Sequence, residues 1–196
     1  MPGDSRTMES KIRRIRDICE DMMLICISLV AVAIAFVKIR TLSLNPAPIT
    51  FLDDCLLVVP IPFFIVNNVL NIIAEYSSEH GSKLRACCGL LQLVQVLVQT
   101  PMLIDGLRRC SFSTKMSYQK PGRELVTFLI VVNLAMWVVY TFEQKKADEF
   151  LAAPYVFHER WIYIGHTTVP LMLFYRFHSA VCFADIWKSA YEKEND

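Results

Sequence analysis

The sequence predicts an all-α polytopic membrane protein with about five transmembrane helices, and its composition, patterning and block lengths support this. The chain has 196 residues, of which 54% are hydrophobic, and its mean hydropathy is +0.38. Ordinary soluble domains are only ~45–50% apolar. The apolar residues form five blocks, and each block with its flanks approaches the ~20 residues that a helix needs to cross a ~30 Å hydrocarbon core. A soluble protein built from five such helices would have too little polar surface.

Each predicted helix corresponds to one of these blocks. Four blocks contain no charged residue, namely Met22–Val37, Cys55–Ala74, Ala86–Ile104 and Leu125–Phe142. The fifth runs from Trp161 to Tyr175 and resumes after Arg176 as Phe177–Ala184. With their flanks, the blocks predict helices at about 21–39, 53–75, 85–106, 124–143 and 160–187.

The polar segments define the rest of the predicted organisation. Residues 1–20 are polar and basic and are expected to lie outside the bilayer, before a helix bundle that spans 21–190. Residues 191–196 form a charged tail. Several prolines lie inside the predicted helices, where they free backbone carbonyls that neighbouring helices or water must satisfy. These prolines are Pro60, Pro62, Pro101 and Pro170.

Composition and motifs exclude several functional classes. The net charge is +1, and Lys and Arg lie in short segments between the blocks, so no nucleic-acid footprint is expected. Most of the seven cysteines lie in or beside apolar blocks, without disulfide-framework or zinc spacing, and we expect no metal and no cofactor. The chain lacks a Ser/His/Asp arrangement, a Gly-rich phosphate loop and HExxH, so we do not expect an enzyme.

Polar side chains inside the blocks share helix faces. The third block carries Gln92, Gln95 and Gln99 at spacing i, i+3, i+7, which places all three on one face. The other polar positions are Asn67, Asn68 and Asn71 in the second block, Asn133 in the fourth, and His166 and Arg176 in the fifth. Such residues face either neighbouring helices or a water path, and both interpretations remain open. For Arg176 the alternatives are a structural ion pair and a functional role.

Five short motifs follow one another along the chain in a distinctive order. They are Leu52-Asp53-Asp54; Val98-Gln99-Thr100 leading into Ile104–Arg109; Lys120–Glu124; Asn133-Leu134 and Trp137 leading to Thr141-Phe142-Glu143; and Phe174–Ser179 followed by Trp187-Lys188. In order and spacing these motifs resemble the last five helices of the otopetrins, a family of proton-selective channels. The resemblance covers nearly all of residues 22–190.

The resemblance implies an assembly and an orientation. Otopetrins have twelve transmembrane helices in two halves and form dimers, so this chain is expected to be a truncated product, a short isoform or a fragment. Its expected partners are the lipid bilayer, protons, and a second copy or a full-length otopetrin. Lys and Arg are divided almost evenly between the two sides and do not orient the chain. The family topology implies a multi-pass plasma-membrane protein with a cytoplasmic C-terminus and an extracellular loop at Gln144–Arg160.

The resemblance also implies a proton pathway. In otopetrins a Gln, an Asn and a Tyr narrow a water-filled vestibule, and the matching positions are Gln99, Asn133 and Tyr175, with Gln95 as the reserve candidate. At ~1.5 Å per residue, the first three lie roughly 9–15 Å from the acidic residue at the same end of each helix, so they can meet at one level. Neutral amides and a phenol order water without a fixed charge that would trap a proton or bind a metal cation.

Three further residues are assigned to pH sensing or to the vestibule. His166 can change charge over the physiological pH range, and Glu143 is its expected partner. A neutral His166 that bonds a neighbouring helix is the alternative. Arg176 is assigned to the vestibule.

The predicted function is a proton-selective channel. The alternative is a truncated, non-conducting partner that dimerises with full-length otopetrins and modulates them; a solute transporter is disfavoured because the chain has no repeat.

Overall fold

The structure, a computed structural model, describes residues 2–45, 51–79, 81–111, 118–147 and 152–191. Its α-helices are α1 Pro2–Ile39, α2 Phe51–Val58, α3 Ile61–Ser77, α4 Lys83–Gly106, α5 Arg123–Ala147, α6 Ala153–Phe157 and α7 Glu159–Ser189. Two short strands, β1 Ser43–Leu44 and β2 Arg109–Cys110, pair antiparallel with Ser43 opposite Cys110.

Five helical segments among the described residues are long and apolar enough to cross a membrane. They are Lys11–Ile39, Phe51–Ser77, Lys83–Gly106, Arg123–Phe142 and Glu159–Ser189. The predicted fold class, an all-α polytopic membrane protein with about five transmembrane helices, is confirmed. The second span is divided into α2 and α3 at Pro60, because proline has no N–H to continue the helical ladder.

Helix α1 begins well before the first apolar block. Residues 2–20, which are predicted from the sequence to lie outside the bilayer, continue the same helix toward its N-terminus. Neither Gly nor Pro occurs between Asp4 and Ile39, and Arg16 lies 3.7 Å from Glu20 one turn later. Such i, i+4 pairs stabilise exposed helices by about 0.2–0.5 kcal/mol each.

The bundle is organised around α4 and α7. Helix α4 packs against α1 and α3, and α7 packs against α5 and α3, while α1 also contacts α5. A buried apolar cluster joins these helices and includes Val32, Phe64, Leu103, Leu129 and Phe183. Because consecutive spans run in opposite directions, the bundle has two ends. The Arg123 end is where α4 and α7 finish and α5 starts, and the His158 end is the opposite one.

The outward faces of the helices are apolar. Large side chains such as Val37, Leu97, Val131 and Phe177 are exposed on them, whereas several amides and a guanidinium are fully buried inside the bundle. In water so much exposed apolar surface would be unfavourable. In a bilayer the same surface faces hydrocarbon, and the polar groups are enclosed by protein.

Charged and aromatic contacts organise the Arg123 end. Arg108 forms an ion pair with Asp54, which joins the loop after α4 to α2. The Arg123 guanidinium lies 3.9 Å from the centroid of the Trp187 ring, and the Tyr191 hydroxyl donates a hydrogen bond to the Pro121 carbonyl (3.0 Å). Burial raises the pKa of Tyr191 to about 12, against the opposing effect of the nearby Arg123 charge, so the phenol remains a hydrogen-bond donor at physiological pH.

Candidate functional site

Two amides from different helices form the centre of the site. Gln99 Nε2 donates to Asn133 Oδ1 at 3.0 Å, and Asn133 Nδ2 donates back to Gln99 Oε1 at 3.3 Å. Both side chains are 0% exposed. Gln99 lies on the inward face of α4, and Asn133 lies in α5, where it also donates to the Leu129 carbonyl (2.9 Å). This reciprocal pair satisfies both amides away from water.

Gln95 extends the amide pair along α4. One turn before Gln99 on the same face, its Nε2 donates to Gln99 Oε1 (2.7 Å) and to Ser28 Oγ (3.1 Å). The Ser28 contact brings α1 into the network. We call the four buried side chains Ser28, Gln95, Gln99 and Asn133 the amide network.

The hydroxyl of Tyr175 lies beside this network. It is 2.9 Å from Thr100 Oγ1 and 3.4 Å from the Val96 carbonyl oxygen, and Thr100 itself donates to that carbonyl (2.9 Å). The Tyr175 ring packs edge-on against Phe64, with centroids 5.3 Å apart. Tyr175 therefore contacts the residue next to Gln99, and the structure places the three predicted constriction residues at one level of the bundle.

Arg176 is the buried charge of the site. Its guanidinium is fully buried, and Nη1 donates to Gln95 Oε1 at 2.6 Å. Nε and Nη2 have no hydrogen-bond partner, and no ion pair involves Arg176 among the described residues. The rings of Phe64 and Tyr175 lie 5.6 and 5.9 Å from the guanidinium carbon and supply partial cation–π stabilisation. The structural ion pair considered for this residue is therefore not formed within the described part of the chain.

A cavity of about 160 Å³, lined by apolar and polar side chains, lies between the amide network and the His158 end. Its polar lining residues are Asp21, Asn67, Asn68, Asn71, Arg85, Gln92 and Tyr140. Gln92 lies about one turn before Gln95 on α4, so the cavity reaches the level just above the network. A cavity of this size has room for water, and its polar side chains offer hydrogen-bonding partners.

The asparagines of α3 have mixed roles. Asn67 Nδ2 donates to Thr168 Oγ1 on α7 (2.8 Å), and Asn68 Nδ2 donates to the Phe64 carbonyl (3.0 Å). Asn71 Nδ2 donates back to Asn67 Oδ1 (3.0 Å). The Asn67–Thr168 bond supports the packing interpretation of this cluster, and all three asparagines also line the cavity.

His166 and Glu143 remain outside the network in the described structure. His166 is exposed on α7, and no described hydrogen bond or ion pair joins it to the amide network or to a neighbouring helix. The backbone of Glu143 belongs to α5, but its side chain lies outside the described residues. Their expected pairing therefore stays a prediction.

Sequence reasoning missed Ser28, Thr100 and Glu75. Ser28 is the only hydroxyl in the first apolar block, and a single polar residue in such a block is the sequence feature that could have identified it. The buried carboxylate of Glu75 accepts hydrogen bonds from the Ser82 amide (2.6 Å), from Arg14 Nη2 (3.3 Å) and from the Ala152 amide (3.4 Å). One side chain thereby joins α1, the α3–α4 turn and the start of α6 at the His158 end.

Comparison with known proteins agrees with the bundle of membrane spans. The family model described as Otopetrin matches residues 6–177. The chain is 35% identical over 177 residues to Proton channel OtopLc of Drosophila melanogaster, and this match covers 89% of the chain. It covers 11% of the relative, so the chain spans a small part of that protein's length. The chain therefore belongs to the otopetrin family.

Proposed function

We propose that this multi-pass membrane protein is a proton-selective channel rather than an enzyme, and that protons pass through the amide network. The observation that carries the proposal is the reciprocal Gln99–Asn133 pair, fully buried in a bundle whose outer surface is apolar. Gln95 and Tyr175 adjoin the pair, and together the four side chains form the constriction. The relative's name, a proton channel, supports the same function.

The chemistry of the network suits proton transfer. Amides and hydroxyls both donate and accept hydrogen bonds. Each side chain can therefore hold a water molecule in an orientation that suits a hydrogen bond to the neighbouring water molecule. None of them carries a formal charge that would trap a proton. Within the described residues no cluster of His, Cys, Asp or Glu is arranged to hold a metal ion. A sodium ion would lose its hydration shell without gaining carboxylate ligands.

The two halves of the proposed pathway differ: one contains a cavity, and the other is filled by apolar side chains. On the His158 side the cavity offers a hydrated vestibule that leads to Gln92 and the network. On the Arg123 side of Tyr175 the interior is filled by apolar side chains, among them Leu57, Leu103 and Phe183. In this proposal the described conformation is a closed one, and water must enter this apolar half for protons to be conducted.

We further propose the orientation and assembly that the family implies. The His158 end, with the segment 144–160, faces the extracellular side, and the C-terminus faces the cytoplasm at the plasma membrane. The protein acts in a dimer, either with a second copy or with another otopetrin. The vestibule then opens to the side from which acid arrives.

Flux measurements on the purified full chain test the proposal. The chain is reconstituted into liposomes that contain a pH-sensitive dye, and a potassium diffusion potential with valinomycin drives proton entry. Dye quenching above that of protein-free liposomes, reduced in the Gln99→Leu variant, is the expected result. Quenching equal to that of protein-free liposomes contradicts the proposed channel.

A second candidate function is a non-conducting partner that modulates other otopetrins. The observation that favours it is the apolar filling between Tyr175 and the Arg123 end, which leaves the described bundle without a continuous polar path. Co-expression of the chain with a conducting otopetrin distinguishes the two functions. A modulator alters the partner's acid-evoked current and gives none alone, whereas a channel gives current in cells that lack relatives.

A further inference from the structure

The positive charge of Arg176 lies between the cavity and the Gln99–Asn133 pair along the proposed pathway. The cavity ends at a level defined by Gln92 on α4, Tyr140 on α5 and Met172 on α7. Arg176 follows Met172 by one helical turn, and its Nη1 is bonded to Gln95, which follows Gln92 by one turn. A cation that moves from the cavity toward Gln99 therefore meets the guanidinium before it reaches the amide pair.

This charge is not neutralised within the described residues. The ion pairs of the described part involve other arginines, and the one hydrogen-bond partner of Arg176 there is the neutral amide of Gln95. Guanidinium groups are not deprotonated in proteins. Burial without a counter-ion is unfavourable for folding, so the residue is expected to serve a purpose other than stability.

We propose that Arg176 is a specificity-determining residue that excludes metal cations from the pathway by electrostatic repulsion. This inference rests on the proposed proton conduction through the amide network. At separations of ~5–7 Å and an effective dielectric constant of ~20, repulsion between two unit charges lowers the occupancy of a cation on the order of 100-fold. A sodium or potassium ion can cross only as an intact cation, so it experiences the full electrostatic repulsion of the Arg176 guanidinium.

Proton transfer along water has one route that avoids this barrier. An excess proton at the site carries a full positive charge and is repelled as a sodium ion is. A proton deficit is not repelled: a water molecule that has passed a proton toward the Arg123 end takes one from the water on the cavity side, so the deficit moves toward the cavity, and the positive charge of Arg176 stabilises it at the site. The partnerless Nε and Nη2 atoms of Arg176 are N–H donors that can hold the oxygens of this water chain.

Paired proton and sodium fluxes in liposomes test the inference. The full-length wild-type chain is expected to pass protons and to take up radioactive sodium no faster than protein-free liposomes. Arg176→Met and Arg176→Gln remove the charge, and each is expected to raise sodium uptake at least ~10-fold. Arg176→Lys keeps the charge and the selectivity. Arg160→Gln is the matched control, because Arg160 is exposed in the first turn of the same helix.

A second pair of variants leaves Arg176 in place. Met172→Glu puts a carboxylate one turn from Arg176 and neutralises its field, whereas Asn71→Asp puts a carboxylate on another wall of the same cavity. Sodium uptake is expected in Met172→Glu and not in Asn71→Asp. This comparison separates the field of Arg176 from a general attraction of cations by an acidic cavity, and it applies even where Arg176 variants fail to fold.

The outcomes distinguish the inference from the proposed function. Absence of proton flux in the wild-type chain overturns both. Proton flux with sodium exclusion kept in the charge-removing variants and in Met172→Glu overturns the inference alone. Equal sodium uptake in Met172→Glu and Asn71→Asp also overturns it, because the field of Arg176 would then not matter.

Discussion

Gln99 and Asn133, 34 positions apart in the chain, exchange two hydrogen bonds across the interface between α4 and α5 (3.0 and 3.3 Å). Both side chains are completely buried within the bundle. Each amide therefore depends on the other, because a buried amide that loses its partner retains its desolvation cost.

Mutual dependence of these two amides is the first prediction. Gln99→Leu and Asn133→Leu are each expected to lower the free energy of unfolding by about 1–3 kcal/mol, since each removes the hydrogen bonds that the other amide makes within the pair. The double variant is expected to lose less than the sum, because neither amide of the pair is then left buried without the other. Thermal unfolding in detergent measures this coupling. Strict additivity would mean that the two side chains do not interact.

The hydroxyl of Tyr175 provides the second prediction. Tyr175→Phe keeps the ring contact with Phe64 and removes the group that lies between Thr100 and the Val96 carbonyl. Proton flux is expected to fall about tenfold, with a change in unfolding free energy of only about 1 kcal/mol. The control is Tyr163→Phe, because Tyr163 is exposed on the same helix. Equal fluxes in the two variants would remove Tyr175 from the pathway.

Glu75 is the subject of the third prediction. Glu75→Gln removes the charge that pairs with Arg14 and keeps only one acceptor oxygen, so it can accept from the amide of Ser82 or of Ala152 but not from both. The expected loss in unfolding free energy is about 1–3 kcal/mol. Limited proteolysis of the α3–α4 turn is expected to become faster. Glu79→Gln, at an exposed position four residues later, is expected to leave both measurements unchanged.

The fourth prediction concerns His166, which is exposed on α7. Histidine is the side chain most often used to sense pH, so we expect His166 to affect how conduction responds to acid. His166→Ala is expected to reduce the increase in flux on acidification. Thr167→Ala is the neighbouring exposed control. Superimposable pH profiles of wild type and His166→Ala would exclude His166 as a sensor.

The sequence also indicates which amides share a helix face, although not what they contact. Gln95 and Gln99 could be placed on one face of α4 from spacing alone, because residues four apart on a helix lie one above the other. Ser28, by contrast, is 67 positions from Gln95, and nothing local to either residue predicts their 3.1 Å contact. Glu75 was overlooked for the same reason, since its partners come from three separate segments.

By itself, the sequence determined that the chain forms five membrane-spanning helices, because long uncharged runs can satisfy their backbone inside a bilayer only as helices. It also indicated which polar groups such helices would have to hide. The tertiary structure decided which of those groups meet: it set Gln99 against Asn133, joined Arg176 to Gln95 without a described counter-ion, and left His166 on the outer surface. The physical reason is that hydrophobic runs are a local property of the chain, whereas the partner of a buried polar group depends on how helices are rotated and packed against one another.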